Sequence, residues 1–300
     1  MLHLNSSKRL SIDIDIICPP GTDIEMYLGK YAAEYGFESV QLVERLSRTD
    51  VPKKHAKKFF YQVSFFSGLS EEKILLDVLF EDVHYDKIVT LPITSPFLKT
   101  VGEPVMVNLP SHEDLLGDKL TAFAPHTTGI PFFKDEKNCS MEINKQLFDI
   151  ASLFELTNDL TTTTKTFRKF ATIELAYRHL PTENLQQVLD DIFHTSLSMT
   201  LQGFGDPEEY KLLIDGMKRV RGFIHSEKYT LESAIVNASK AAYLSKLIER
   251  KYTVVNHFNP DNVSDLIDAE ITAPLPARLN RLKKTNIEAF YYWIEIQKLM

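Results

Sequence analysis

The feature that most restricts the fold of this chain is a change of hydrophobic period near residue 110. Before it, short runs rich in β-branched and aromatic residues recur at 9–16, 39–46, 59–66, 73–80 and 101–109, separated by polar or glycine-bearing turns. After it, almost every segment repeats with helical spacing, and β-branched runs become rare. Strands segregated from helices predict an α+β chain, with a mixed sheet and flanking helices over 1–110 and a mostly α-helical domain over 111–300. One helix belongs to the first part. Pro19-Pro20-Gly21 breaks the chain, Thr22 or Asp23 caps a helix reaching about Tyr35, and Gly36 stops it.

In the second part the spacing predicts helices over 111–124, 142–156, 163–179, 183–197, 207–224, 230–251 and 287–299. A threonine-rich connector occupies 159–166. The segment 258–279, with Pro260, Pro274 and Pro276, reads as a loosely structured approach to the last helix.

Composition narrows the setting. No run approaches the eighteen or so apolar residues of a membrane span, and the first residues lack the apolar core of a signal peptide, so the expectation is a cytoplasmic protein with no membrane partner. Cys18 and Cys139 offer neither a disulfide framework nor a metal spacing. The net charge of −7 excludes a globally basic nucleic-acid binder. A local basic cluster remains at Lys53, Lys54, His55, Lys57 and Lys58, followed by Phe59, Phe60 and Tyr61; it reads either as a solvated loop or as a phosphate-backbone contact.

The residues that carry chemistry start in the first strand, Arg9-Leu10-Ser11-Ile12-Asp13-Ile14-Asp15-Ile16. Alternation puts Ser11, Asp13 and Asp15 on one face and Ile12, Ile14 and Ile16 on the other, a core face. Two aspartates in an isoleucine-rich strand need a partner, and a divalent cation such as Mg²⁺ supplies one; an edge strand facing water would read the same way. Asp77 sits among leucines on a strand apolar on both sides, which reads as a central strand. A cation shared with Asp13 and Asp15 would remove its burial cost, as would a salt bridge. Lys119 falls within the stripe Leu116, Leu120 and Phe123, so it either snorkels outward or points at an anion such as a nucleoside triphosphate. Lys145 and Asp149 lie one turn apart on the next helix, spacing that on its own describes a surface pair.

Arg9-Leu10-Ser11-Ile12-Asp13-Ile14-Asp15, Asp77, the run Asp114-Leu115-Leu116-Gly117-Asp118-Lys119-Leu120-Thr121-Ala122, and Lys145-Gln146-Leu147-Phe148-Asp149-Ile150 together resemble the AbiEii/AbiGii toxin nucleotidyltransferases of type IV toxin–antitoxin systems. These belong to the DNA polymerase β-like superfamily, and the resemblance covers residues 9 to about 154. It implies a nucleotidyltransferase-like sheet followed by a helical domain that contributes Lys119 and Asp149 to the site. It also implies Mg²⁺-dependent transfer of a nucleotide from an NTP to an RNA, such as a tRNA, or to another acceptor hydroxyl. Asp13, Asp15 and Asp77 would be the metal ligands and catalytic carboxylates, as in a two-metal clamp on an in-line displacement. Lys119 would neutralise triphosphate charge, and Asp149 would orient a neighbouring group or act as a late catalytic carboxylate. Arg9, Ser11, Lys119 and Lys145 would support the nucleotide. An antitoxin would be encoded separately, with no tight complex required.

One departure accompanies the resemblance. The superfamily carries a Gly-Gly or Gly-Ser turn about ten residues before the paired aspartates, and here residues 1–8 contain no glycine. The expectation is therefore a chain that begins inside its domain. The alternative function is a non-catalytic member acting as a binding or interaction protein.

Overall fold

The computed structural model describes residues 2–4, 7–11, 13–43, 57–68, 70–95 and 101–300. They form two compact units, Leu10–His84 and a larger one made of Met1–Arg9 with Tyr85–Met300.

The smaller unit is built on a four-stranded sheet. Its elements are β1 (Asp13–Cys18), α1 (Ile24–Glu34), β2 (Ser39–Val43), β3 (Lys57–Phe66) and β4 (Glu71–Phe80). The spatial order is β1-β4-β3-β2, with β1 parallel to β4 and the other pairs antiparallel. The order makes β4 a central strand, as its apolar sequence predicts, and β1 an edge strand. Helix α1 lies over one face. Ile24, Tyr61 and Val78 are buried there, with Ile16, Leu28 and Leu76 packed around them. Gly36, at φ 80°, takes the left-handed conformation expected of a helix stop.

Two expectations for the first strand change. The described strand starts at Asp13, while Arg9 forms an isolated antiparallel bridge with Ile224, and the Lys8 carbonyl accepts from the amides of His225 and Ser226. Residues 1–9 therefore go with the larger unit. Ile14, assigned to the core face, is 51% exposed: α1 covers the sheet around Ile24 and Leu28 but leaves the start of β1 beside an apolar hollow of about 290 Å³, lined by Ile14, Tyr27, Tyr31, Ile74 and Leu76. Ile12, Lys53, Lys54 and His55 lie outside the described residues, and Lys57 and Lys58 open β3.

The larger unit begins its ordered elements with a hairpin, β5 (Ile88–Pro92) and β6 (Met106–Pro110), followed by α2 (His112–Ala122) and a two-residue hairpin, β7 (Phe133–Lys134) and β8 (Lys137–Asn138). Then come α3 (Ser140–Phe154), α4 (Thr161–Tyr177), α5 (Leu185–Thr200), α6 (Pro207–Val220), α7 (Leu231–Glu249), α8 (Leu282–Thr285) and α9 (Ile287–Leu299). Each helix anticipated beyond residue 110 is present within a few residues of its expected bounds. The stretch before α8 is organised by 3₁₀ turns at Pro260–Leu266 and Ala277–Arg281.

The sequence put a boundary near residue 110, whereas the compact units divide between His84 and Tyr85. The reason lies in hydrogen bonds. The β5–β6 hairpin hands on directly to α2, and the amides of Asp86 and Lys87 are held by Asp114 on that helix. The core of this unit is continuous from Leu116, Leu120 and Phe123 on α2, through Ile143, Leu147 and Phe148 on α3, to Phe290 and Trp293 on α9.

Candidate functional site

In the smaller unit the candidate site is a face of β1 and β4. The register sets Asp13 opposite Leu75 and Asp15 opposite Asp77. Paired residues in neighbouring strands project to the same side, and residues two apart share it, so the backbone puts Asp13, Asp15 and Asp77 on one face. Asp13 and Asp77 are half-buried and Asp15 is exposed. Ser11 precedes the strand, and its hydroxyl donates to Asp13 Oδ1 at 2.5 Å, which fixes that carboxylate. Among the described residues, no three acidic, histidine or cysteine side chains are gathered tightly enough to form a ready cation cage. The donor set nonetheless suits Mg²⁺: it is all oxygen, and Mg²⁺ usually takes only one or two carboxylates and fills its shell with water and phosphate.

In the larger unit, α2 and α3 bring a second group of the anticipated residues together. Arg9 and Asp149 are both buried and form a two-pronged pair, Nε to Oδ1 at 2.8 Å and Nη2 to Oδ2 at 2.7 Å. Lys119 Nζ stands 3.9 Å from Asp149 Oδ2, with 28% of its side chain exposed. The planar guanidinium matches the carboxylate fork, so the close pair belongs to Arg9, and the lysine is the looser neighbour. Lys145, one turn before Asp149, makes no ion pair among the described residues; Asp149 faces Arg9 and Lys119 instead of forming the surface pair its spacing offers.

Helix α2 holds Lys119 there through neighbours whose roles the sequence hides. Ser111 caps the helix, accepting from the Asp114 amide at 3.1 Å and donating to Asp114 Oδ2 at 2.9 Å. Asp114 is fully buried and also accepts from Asp86 N at 2.8 Å, Lys87 N at 2.9 Å and the Thr166 hydroxyl at 2.5 Å. The carboxylate thereby joins three chain segments. Gly117 lets α4 approach closely, since a Cβ there would fall 2.6 Å from Thr163 O and 2.8 Å from Phe167 N. Asp118 accepts from the Tyr85 hydroxyl at 3.1 Å; burial pushes its carboxyl above the usual range, against the opposing pull of Lys119 and that hydrogen bond. Tyr85 in turn packs on Phe170, ring centroids 4.9 Å apart.

Both thiols are free, Cys139 buried and Cys18 half-buried, and burial raises the pKa of Cys18. No helix among the described residues is long and apolar enough to cross a membrane.

No curated protein matches the chain. Among solved structures, the crystal structure of JHP933 from Helicobacter pylori aligns with a TM-score of 0.37 at 12% identity, over 81% of this chain and 77% of that one. The family model described as nucleotidyl transferase AbiEii toxin, type IV toxin–antitoxin system, matches residues 1–221, a span that contains every candidate residue described above. The chain therefore belongs to the AbiEii family of nucleotidyltransferase toxins of type IV toxin–antitoxin systems.

Proposed function

We propose that this chain transfers a nucleoside monophosphate from an NTP to an acceptor hydroxyl on RNA, such as a tRNA, with Mg²⁺ as cofactor and pyrophosphate as leaving group. The observation that supports the reading is the register of β1 and β4, which lines up Asp13, Asp15 and Asp77 on one face in a chain of this family. Those three carboxylates would hold the cation, which when bound would neutralise phosphoryl oxygens and align the displacement. Ser11 steadies Asp13 through its hydroxyl.

Lys119 is the cation assigned to triphosphate charge. Arg9 offsets the single charge of Asp149 at hydrogen-bond distance, so Arg9, Asp149 and Lys119 together carry one net positive charge, and it resides on the partly exposed lysine. Asp149 is thus better read as the carboxylate that positions Lys119 than as a group acting on the acceptor. Arg9 acts through Asp149, and Lys145 adds a second cation on α3. The family implies an antitoxin partner, and we assign it no obligatory tight complex with this chain.

The test is titration calorimetry of the full chain with each of the four NTPs, with and without Mg²⁺, for the parent, Asp13→Asn and Asp15→Asn. Mg²⁺-dependent binding by the parent and its loss in both variants, with unchanged circular dichroism, is the expected result. Variants that bind Mg²⁺-NTP as well as the parent would refute the metal assignment. A parent that binds no NTP would leave the chain as a binding protein of the same fold.

A further inference from the structure

A basic edge in the last part of the larger unit, beyond the residues matched by the family model, has no role in the reaction described above. The 3₁₀ turn Ala277–Arg281 runs straight into α8. In a 3₁₀ helix, residues three apart eclipse one another and rise by about 6 Å, so Arg278 and Arg281 lie on one edge. Lys284, three residues on in α8, follows about 4.5 Å further along and turned about 60° aside. All three are exposed. Lys283 behaves differently: its ammonium turns in to the Ala269 carbonyl at 3.0 Å. Among the described residues, no carboxylate comes within 4.0 Å of the Arg278, Arg281 or Lys284 cations, although the segment carrying Asp268 and Glu270 runs alongside, tied to Asn280 through Ile271.

At one end of this edge stands Phe204, 60% exposed, in the loop between α5 and α6. The loop is shaped to present it: Gln202, Gly203 and Gly205 all have positive φ, at 54°, 78° and 112°. The Arg278 guanidinium lies over the Phe204 ring, 4.9 Å from its centre. An exposed aromatic ring and a guanidinium plane followed by two further cations is the arrangement that takes an unpaired nucleic-acid strand, a base stacking at Phe204 and Arg278 and successive phosphates meeting Arg281 and Lys284.

We propose that Phe204, Arg278, Arg281 and Lys284 form a docking edge for single-stranded RNA. The inference deepens the acceptor part of the reading above and rests on it for the identity of the strand as RNA.

The experiment is fluorescence anisotropy of the full chain with a labelled unstructured RNA oligonucleotide, over a salt series and without NTP. It compares the parent, Phe204→Ala, the triple variant Arg278→Ala/Arg281→Ala/Lys284→Ala, and a control, Arg168→Ala/Lys169→Ala, that removes exposed cations from α4. Removing the two phosphate contacts of Arg281 and Lys284 should reduce the salt slope by about 1.4, at roughly 0.7 per contact for a single strand. Phe204→Ala should weaken binding about thirtyfold, a middle value for one stacked base. The α4 control should bind as the parent does. Equal losses in the control and the triple variant would overturn the edge in favour of diffuse attraction. So would duplex RNA that binds as tightly as the single strand and is indifferent to Phe204, or polyglutamate that competes equally well, which would point to an acidic protein partner. No RNA binding by the parent would overturn both the edge and the RNA-acceptor reading. Edge-dependent RNA binding in a chain that fails the NTP titration would leave the edge standing and remove the transferase reading.

Discussion

Substituting Asp114 by asparagine tests how the larger unit holds the start of its chain against α2. The two residues have the same shape, so little packing is lost, but the amide nitrogen can no longer accept. Each carboxylate oxygen now serves one backbone amide and one hydroxyl: Asp86 N and Thr166 on Oδ1, Lys87 N and Ser111 on Oδ2. Whichever way the asparagine is turned, one backbone N–H meets an NH₂ group. The hydroxyl on that side can rotate to accept, so a single orphaned donor and the loss of charge assistance set the cost. With hydrogen bonds to a charged group contributing about 1.5–3 kcal/mol each, and an orphaned donor costing a comparable amount, we expect a loss of about 2–4 kcal/mol. In a unit of this size each kcal/mol lowers Tm by about 2–4 °C, so the melt should fall by roughly 4–16 °C. The loss should also be local. Hydrogen exchange at Asp86 and Lys87 should accelerate more than exchange in α7, where Ala238, Ala241 and Ala242 are fully buried. A variant that melts with the parent and keeps both amides protected would refute the account of Asp114 as the clasp.

Gly117→Ala should destabilise by about 1–3 kcal/mol, because the new methyl meets backbone atoms of α4 that cannot swing aside; a thermal melt within 1 °C of the parent would contradict the close approach. Arg9→Met and Asp149→Leu should each cost about 3–5 kcal/mol by stranding a buried partner, while the double variant costs much less than their sum, as a double-mutant cycle of denaturant unfolding would measure; additive losses would show the pair to be uncoupled. His126 donates its Nε2–H to Glu209 Oε2 at 2.8 Å, and this bond raises its pKa above 6.5, with burial opposing and Asp191 and Asp206 assisting. A raised histidine pKa adds stability that is complete below the unfolded value of 6.5 and is lost as pH climbs through the folded value; because the side chain is 56% exposed, the gain should stay under about 1 kcal/mol. Melts of the parent and His126→Gln should therefore converge as pH rises from 5.5 to 9, and a gap that widens with pH would reverse the sign.

The period of the sequence located the helices well because each buries a broad stripe in one continuous core. On α3, for example, Ile143, Leu147, Ile150 and Phe154 all go inside. It was less informative where tertiary contacts decide the outcome. Strand β5 is five residues long and ends in proline, too short to stand out without its partner β6. The exposure of Ile14 could not be read from alternation, since alternation tells which residues share a face and not whether a helix covers all of it. The division between His84 and Tyr85 depends on the Asp114 hydrogen bonds, and 27 or more residues of sequence separate that carboxylate from the amides it holds.

The candidate site divides along the same line. Two aspartates on one strand are local, and their common face follows from alternation alone; the addition of Asp77 needed β1 and β4 to be neighbours in the register that sets Asp15 opposite Asp77. Arg9 and Asp149, by contrast, are 140 residues apart, and from spacing Asp149 had a nearer partner in Lys145. The structure prefers the distant one for a physical reason. A surface pair at i, i+4 contributes a few tenths of a kcal/mol, whereas a carboxylate buried on the inner side of α3 requires a partner that is buried with it and fills both its oxygens. Arginine meets that requirement with a rigid fork, and the antiparallel bridge from Arg9 to Ile224 brings it there. Once Arg9 has taken both oxygens, Lys119 is left close enough to be steered by Asp149 and far enough to keep its charge for another anion. A lysine inside an apolar stripe could be noticed in the sequence, but its use depends on which residue answers the carboxylate beside it, and that choice is made by the fold.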